Sequence, residues 1–279
     1  MTTAIDGLTS PTLKHLREHW WDDEFTEFLA ETLRPRAGNR ILDVGCGEGL
    51  AEVSIGRLHI SQIRLVGVDL VVSKVIAAAR ETASHNQRVR FAAADACRLP
   101  FATSAFDSLF CVAVLQHIAD VNLALAECAR VTARNGHVVA VEPDNSARYG
   151  FSSAPSGRAA FEASERLFSA LAASRQERTD PAIGPKLPEL FARHGIEPID
   201  VRLFPVYQTR LGAPASAVWA DRRQAVERLL QQANSAEAHA PGREYLDVLA
   251  AYQREATEAG PAFVEIQNTM LFATVGQRA

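Results

Sequence analysis

Short runs of branched apolar residues alternate with segments of helical periodicity through the first half of the chain. Strands that alternate with helices of about ten residues are typical of βαβ units, and they predict a parallel sheet. The predicted strands are Arg40 to Val44, Ile63 to Asp69, Val89 to Ala94, Phe106 to Val114 and His137 to Glu142, the last of them after a turn at Asn135-Gly136. The predicted helices between them are Leu50 to Leu58, Val71 to Thr82 and Val121 to Thr132.

Longer amphipathic segments follow Pro143, and only two further strands interrupt them. A proline after a serine at Ser10-Pro11 predicts the start of another helix ahead of the first strand. The small, polar stretch Asn234 to Gly242 is interpreted as a mobile connection. The predicted helices after Pro143 are Arg158 to Ala173, Leu187 to His194, Ala215 to Gln231 and Glu244 to Gln253, and the strands are Ile199 to Val206 and Phe263 to Val275.

The turn after the first strand contains the densest candidate chemistry. Gly45, Gly47 and Gly49 fall at every second position behind Asp43, whereas a dinucleotide fingerprint needs its third glycine where this chain has Leu50. Glycines without side chains let the backbone approach a ligand and allow positive φ angles. The spacing therefore disfavours a dinucleotide as the ligand.

Three acids punctuate the first three strands. Asp43 and Asp69 close strands one and two, and Asp95 follows strand three. Asp69 lies 20 residues beyond Gly49, where a carboxylate can accept both ribose hydroxyls of an adenosine. Each acid alone could be an ordinary cap or turn residue, but in this order they favour one ligand site at the carboxyl edge of the sheet.

These residues resemble the first motifs of class I S-adenosylmethionine-dependent methyltransferases. Ala94 to Phe101 and Phe106 to Leu109 extend the resemblance to the small-molecule branch that contains the ubiquinone and menaquinone C-methyltransferases, over about residues 38 to 145. The resemblance implies an α/β fold with a seven-stranded Rossmann-like sheet, in which strand seven is antiparallel and lies between strands five and six. It also implies S-adenosylmethionine as the cofactor. The implied contacts are Asp43 toward the methionine ammonium, Asp69 on the ribose and Asp95 on the adenine amino group, with Leu70 and Ala96 beside the adenine and Gly45, Cys46, Gly47, Val112 and Gln116 completing the site.

Two residues are candidates for a catalytic role. His117, in Leu115-Gln116-His117, is similar to the Leu-x-His of many small-molecule methyltransferases and could act as a general base. It could equally cap the following helix or pack against the cofactor. Glu142, after strand five, could orient the substrate or belong to a turn without a role. Asp144-Asn145 resembles part of a catechol O-methyltransferase magnesium site, but Leu115 and Gln116 stand where its other acid is needed, so no metal is predicted.

The same topology predicts where the substrate is held. We expect an N-terminal helical cap at residues 1–34, and a cofactor-binding domain at 35–279. Helical insertions at about 146–180 and 208–260 leave from the carboxyl ends of strands, so they are expected to form a lid over the substrate.

Composition narrows the partners and the location. The 279 residues carry a formal net charge of −4 and no dense Lys/Arg run, which argues against nucleic acid and membrane surfaces as partners. The four cysteines form no C-x-x-C pair, and no signal peptide or membrane-spanning run is visible, so a cytoplasmic protein is expected. Whether it is a monomer or a homodimer stays open.

The expected activity is in-line methyl transfer from S-adenosylmethionine to a small, partly apolar metabolite. The main alternative is a lyase or cyclase that uses the same fold and cofactor without methyl transfer. A binding subunit without activity and a nicotinamide dehydrogenase are further alternatives, and the intact first motif and its glycine register disfavour them.

Overall fold

The fold is taken from a computed structural model that describes residues 21–33, 38–57, 63–85, 89–174, 179–232 and 236–279. Its sheet has the strand order β3-β2-β1-β4-β5-β7-β6, with β7 antiparallel, as expected for the seven-stranded Rossmann-like arrangement. The strands are β1 (Arg40–Val44), β2 (Arg64–Asp69), β3 (Arg90–Ala93), β4 (Phe106–Val112), β5 (Thr132–Ser152), β6 (Ile196–Leu211) and β7 (Val264–Arg278).

The helices alternate with the early strands and then dominate the later half of the chain. They are α1 (Asp23–Leu33), α2 (Leu50–Arg57), α3 (Val72–Ser84), α4 (Val121–Val131), α5 (Gly157–Ser174), α6 (Leu187–Arg193), α7 (Ser216–Gln232) and α8 (Ala236–Ala259). The start of the helix predicted at Ser10-Pro11 lies outside the described residues, which begin at residue 21. The rest of the predicted elements are found within a few residues of their expected bounds, apart from the differences described below.

The chain divides into two compact units. The first comprises Met1–Ser146, Arg178–Val206 and Met270–Ala279, and the second comprises Ala147–Glu177 and Tyr207–Thr269. The lid role expected of the helical insertions stays a prediction.

Both faces of the sheet in the first unit are covered, because alternate strand residues point to opposite sides. Leu42 packs on one side in a cluster with Leu109 and Leu125, and Ile41 packs on the other with Phe28 and Val139. β1 pairs in parallel with β2 and with β4, and β2 with β3. The carboxyl ends of β1, β2 and β3 therefore meet at one edge of the sheet, which is where the three predicted acids lie.

Two strands extend well beyond their predicted ends. β5 was expected at His137 to Glu142 and spans Thr132–Ser152, and β6 was expected at Ile199 to Val206 and spans Ile196–Leu211. The end of β5, residues 146–151, is exposed, so no apolar pattern marks it. The predicted turn at Asn135-Gly136 is an irregularity inside β5, because Asn135 has a φ of +62° and the register with β4 shifts there.

Asn234 to Gly242 was predicted to be a mobile connection. This prediction is wrong for residues 236–242, which form the start of α8. Ala238 in this segment is fully buried in a cluster with Leu167 and Val226. A Cβ on Gly242 would lie 2.5 Å from Leu230 Cδ2, so this glycine lets α8 approach α7 closely. Packing of small residues, which a composition argument does not detect, fixes the helix.

Candidate functional site

The turn after β1 has a backbone that requires glycine. Gly45 has a φ of +84°, and a Cβ at this position would lie 2.3 Å from Val114 Cγ2, so a side chain would not fit. The Gly45 and Cys46 N–H groups both donate to Val68 O, at 2.7 and 2.9 Å, and tie the turn to the end of β2. A Cβ on Gly47, by contrast, would meet no atom of the other described residues within 4 Å, its two chain neighbours apart. The turn therefore packs tightly against the protein at Gly45 and leaves space for a ligand at Gly47.

Asp69 lies at this open side, at the end of β2. Its Oδ2 accepts the Gly47 N–H at 3.0 Å, and its Oδ1 accepts the Val71 N–H at 2.8 Å. A carboxylate has about four acceptor positions, so these two bonds orient Asp69 and leave capacity for further donors. The role predicted for Asp69, to accept both hydroxyls of a ribose, stays a prediction.

Asp43 is buried beneath the turn, with 2% of its surface exposed, beside the carboxyl of Glu52 on α2. Burial raises the pKa of Asp43 well above its ordinary range, and the charge and hydrogen bond of Glu52 raise it further, followed by the charge of Asp69. The thiol of Cys46 is neutral, because burial raises its pKa and the charges of the nearby acids add to the rise. Nothing in the sequence pattern had pointed to Glu52.

The third acid and the adenine-flanking candidates lie at the neighbouring strand ends. Asp95 is exposed, and its Oδ1 accepts the Cys97 N–H at 2.8 Å, so it closes a tight turn after β3. Leu70 follows β2 with 61% of its surface exposed, an unusual position for a large apolar side chain. Ala96 is half-buried against the core. The structure thus brings the three acids, Leu70 and Ala96 to the ends of adjacent strands.

The segment after β4 is anchored from below by Glu142. This side chain is fully buried, its Oε1 accepts the Val114 and Leu115 N–H groups at 2.7 Å each, and its Oε2 faces the Gln116 N–H at 3.4 Å. Buried polar groups of this kind are satisfied by the backbone that they hold. The geometry differs from the predicted catalytic role, because both carboxylate oxygens are engaged by backbone amides.

This anchor fixes a 3-10 turn at Leu115–His117, where the remaining candidates lie. Val112 is half-buried at the end of β4, and Gln116 is buried, with its Oε1 accepting Asn145 Nδ2 at 3.1 Å. His117 is exposed on the same turn. Sequence reasoning missed the role of Asn145 as the partner of Gln116, since the two residues are far apart in the chain.

Asp144, which was considered as a metal ligand, has local partners. Its Oδ1 accepts the Ser146 N–H at 2.9 Å and the Ser146 hydroxyl at 2.6 Å. Across the described ranges, no three His, Cys, Asp or Glu side chains come together as a metal-binding group. Within the same ranges, no helix is long and apolar enough to cross a membrane.

Comparison with known proteins identifies the sheet that carries this site. Residues 42–140 match the family described as "Methyltransferase domain". The chain is 32% identical over 126 residues to an O-methyltransferase from Aspergillus nomiae, covering 40% of this chain and 55% of that protein. It is 31% identical over 146 residues to the 27-O-demethylrifamycin SV methyltransferase of Amycolatopsis mediterranei, covering 48% of this chain and 52% of that protein.

By this match, residues 42–140 are a methyltransferase domain. A solved phosphoethanolamine N-methyltransferase 2 from Haemonchus contortus, in complex with S-adenosylhomocysteine, shares the fold, with a TM-score of 0.55 and 16% identity over 100% of this chain and 60% of that chain. The chain spans about half the length of the curated relatives it matches.

S-adenosylmethionine is the cofactor that the sequence resemblance implies for this domain. The residues present fit it in two respects. Apart from the residues next to it in the chain, no described residue has an atom within 4 Å of a Cβ placed on Gly47, so a ligand can lie against the backbone there. Asp69 at the same place offers oriented acceptor oxygens for ribose hydroxyls.

Proposed function

We propose that the protein transfers the methyl group of S-adenosylmethionine to a hydroxyl oxygen of a small, partly apolar metabolite. The observation that carries this proposal is the Asp69 carboxylate, held by the Gly47 and Val71 N–H groups beside an open glycine turn within a methyltransferase domain. Oxygen as the accepting atom is supported by the names of the relatives from Aspergillus nomiae and Amycolatopsis mediterranei, which are both O-methyltransferases in those organisms.

In this proposal the cofactor lies along the ends of β1, β2 and β3. Asp69 accepts the two ribose hydroxyls, Asp95 accepts the adenine amino group, and Asp43 faces the methionine ammonium from beneath the turn. Leu70 packs against one face of the adenine and Ala96 against the other. This contact explains why a large apolar side chain such as Leu70 is exposed in the protein without the cofactor. The backbone of Gly45, Cys46 and Gly47 and the side chains of Val112 and Gln116 complete the contacts.

The bound cofactor supplies both the electrophilic methyl group and the leaving thioether. What the chain must add is alignment, and holding two reactants in line is worth roughly 7 to 11 kcal/mol of the barrier. His117 accepts the proton of the substrate hydroxyl as the oxygen–carbon bond forms, and it then returns the proton to solvent. General-base assistance of this kind is worth roughly 10² to 10⁴ in rate.

Glu142 acts in this proposal as a positioning residue. Its carboxylate holds the amides of Val114 and Leu115, and these residues lead directly into the turn that carries Gln116 and His117. The substrate-orienting role expected from the sequence is therefore exercised through the backbone of that turn.

The test is incubation of the purified protein with methyl-labelled S-adenosylmethionine and a panel of hydroxylated, partly apolar metabolites. We expect S-adenosylhomocysteine and a methylated product in equal amounts. Substrate turnover without S-adenosylhomocysteine would instead support the lyase or cyclase alternative and overturn the proposal.

Two variants separate binding from chemistry. Asp69→Ala should weaken cofactor affinity at least tenfold, because the ribose hydroxyls lose a charged acceptor. His117→Ala should lower turnover about 100-fold at unchanged cofactor affinity. Glu162→Ala is the matched control, since Glu162 is an exposed acid that pairs only at the surface with Arg158. Unchanged cofactor affinity in a folded Asp69→Ala protein contradicts the site.

A further inference from the structure

Glu52 is an acid in an unexpected place. It lies in α2 between Ala51 and Val53, its side chain is 0% exposed, and neither of its carboxyl oxygens receives a hydrogen bond from an N–H donor of another residue in the part of the chain that the structure describes. An ionised carboxylate without a partner is strongly disfavoured in a buried site, and such a group takes up a proton instead. Glu52 therefore needs either a proton or a cation.

The neighbour of Glu52 is another buried acid, Asp43 on β1. The two carboxyl groups lie close enough for a hydrogen bond between them to raise the pKa of Asp43. Two carboxyl groups can share a hydrogen bond only when one of them carries a proton. Gly67 of β2, the register partner of Asp43, leaves the space for this pair, because a Cβ there would lie 2.5 Å from Glu52 Oε1.

The surroundings of the pair supply no positive charge. Asp69 at the end of β2 is the further acid that acts on Asp43. The charge of Asp43 in turn acts on the Cys46 thiol in the glycine turn and on the Cys111 thiol on β4. Burial raises the pKa of both thiols, so they are neutral, and Asp69 adds negative charge. Among the described residues, none of the groups that act on the pair is a cation. A bound cation and a proton are thus alternative ways to neutralise it.

We propose that Glu52 is a positioning residue of the cofactor site, which shares one proton with Asp43 in the free protein and releases it to solvent when the cofactor ammonium binds. This inference rests on the proposed function, in which Asp43 faces that ammonium. The protons and charges balance. The free pair carries one proton, the bound pair carries none, and this one proton enters the buffer when the cationic cofactor binds. Glu52 acts on the cofactor through Asp43 and sets the charge of Asp43 in the free protein.

The proposal predicts a pH-dependent affinity with a definite sign. Burial raises the pKa of Glu52 to about 7, against smaller lowering effects from its own backbone N–H and from Asp43. Below that pH a proton must leave before the cofactor binds, so affinity increases as pH rises, up to tenfold per unit. At higher pH the dependence weakens as Asp43, whose pKa is also raised, loses the last proton of the free pair.

Calorimetric titration with S-adenosylhomocysteine tests this, because the compound keeps the ammonium and undergoes no methyl transfer. Titrations in two buffers of different ionisation enthalpy give the number of protons released. We expect proton release at pH 6 that declines as the pH rises, with a dissociation constant that falls about tenfold from pH 6 to pH 7. Glu52→Gln should reduce the proton release and make the profile less steep, because it removes the part of the rise in the Asp43 pKa that Glu52 causes. Glu162→Gln, a change at an exposed acid, should behave as the native protein.

A second measurement needs no cofactor. Carboxyl-carbon NMR of free protein labelled at Glu and Asp side chains should show resonances that titrate far above the ordinary range and are lost or shifted in Glu52→Gln. Absence of S-adenosylhomocysteine binding at every pH overturns the proposed function and the cofactor half of this inference, while the NMR titration still decides whether the pair holds a proton. Binding without proton release at pH 6, or release that Glu52→Gln leaves unchanged, overturns the inference and leaves the proposed function intact.

Discussion

Glu52 on α2 and Glu265 on β7 are both almost completely buried acids, with 0% and 1% of their surfaces exposed, but their surroundings differ in every other respect. Glu265 accepts two hydrogen bonds from Arg222, at 2.6 and 3.0 Å, one from the Tyr252 hydroxyl at 2.7 Å and one from Arg210 Nε at 3.1 Å. Glu52 meets a second acid, and no arginine or lysine is among the groups that act on it in the described chain.

The two environments move the pKa in opposite directions. Burial tends to raise the pKa of both acids. For Glu265 the hydrogen bonds and charge of Arg222, followed by Tyr252 and Arg210, outweigh burial, so its pKa is lowered. For Glu52 burial dominates and the pKa is raised.

The difference teaches what each acid is suited for. Glu265 has its counter-charge, Arg222, within the second compact unit, and Arg222 also stacks over the Trp219 ring at 4.9 Å. Such a cluster, in which the buried acid has its hydrogen-bond donors and counter-charge inside the protein, stabilises the fold. The Glu52–Asp43 pair has no internal counter-charge among the described residues, so it is suited to respond to a proton or a cationic ligand from outside.

The largest effect is expected when the counter-charge of the arginines is removed. Glu265→Ala should lower the free energy of unfolding by about 3 to 5 kcal/mol, because Arg222 and Arg210 lose their common acceptor in a buried site. Denaturant unfolding followed by circular dichroism and tryptophan fluorescence measures this. Glu52→Gln, a change at the other acid, should not lower the free energy of unfolding at pH 7, since it removes no ion pair. Equal losses of unfolding free energy in the two variants would contradict the difference proposed between Glu265 and Glu52.

The pH dependence of stability should separate the two acids as well. A folded-state pKa of Glu52 near 7, against an ordinary 4.5, gives stability that is fully present below pH 4.5 and is lost as pH rises toward 7, by about 3 kcal/mol. Glu52→Gln should remove this loss. Glu265 has the opposite sign, because its lowered pKa gives stability that is present above its ordinary pKa and is lost as pH falls through the lowered value.

The measurement is the unfolding free energy of the native protein and of Glu52→Gln at half-unit steps from pH 5 to pH 8. The difference between the two curves isolates the Glu52 proton from every other titration in this range. Parallel curves would mean that Glu52 holds no proton in the folded protein.

Glu142 provides an intermediate case, since backbone amides rather than arginines satisfy it. Glu142→Gln replaces one acceptor oxygen by a donor NH₂ facing amides of the 114–116 segment, so we expect a loss of about 1 to 3 kcal/mol of stability. If the turn that carries His117 shifts, turnover falls while the affinity for S-adenosylhomocysteine changes little. Stability and turnover both at native levels would contradict the anchoring role.

Much of the sheet could be predicted from the sequence because its strands are short and buried. Apolar runs such as Ile41 to Val44 mark strands that both faces of the sheet cover, and their order follows from right-handed βαβ connections. The exposed extension of β5 beyond Pro143 could not be predicted, since backbone pairing rather than burial holds it. The start of α8 was missed because the packing of Ala238 depends on partners far away in the chain.

The candidate site divides in the same way. The glycine turn, Asp43 and Asp69 are visible in the sequence, because strand ends and local spacing determine where they lie. Glu52 is invisible there, since a single acid in a helix of eight residues is usually solvated. Only the contact across β1 and β2, with Gly67 leaving room, shows that this acid is buried. The engagement of Glu142 by amides 28 and 27 residues away is equally non-local.

The smallest effect is expected where charges pair at the surface. Arg158 Nε lies 2.9 Å from Glu162 Oε1 one helical turn away in α5, and Arg158 is largely exposed. Water screens such pairs and the long side chains lose entropy when they are held, so an i,i+4 pair contributes about 0.3 to 0.5 kcal/mol. Arg158→Ala should therefore change the free energy of unfolding by no more than about 0.5 kcal/mol and leave its pH profile unaltered. A loss comparable to that of Glu265→Ala would show that pairing itself, and not the burial of the pair, sets the size of the effects at Glu265.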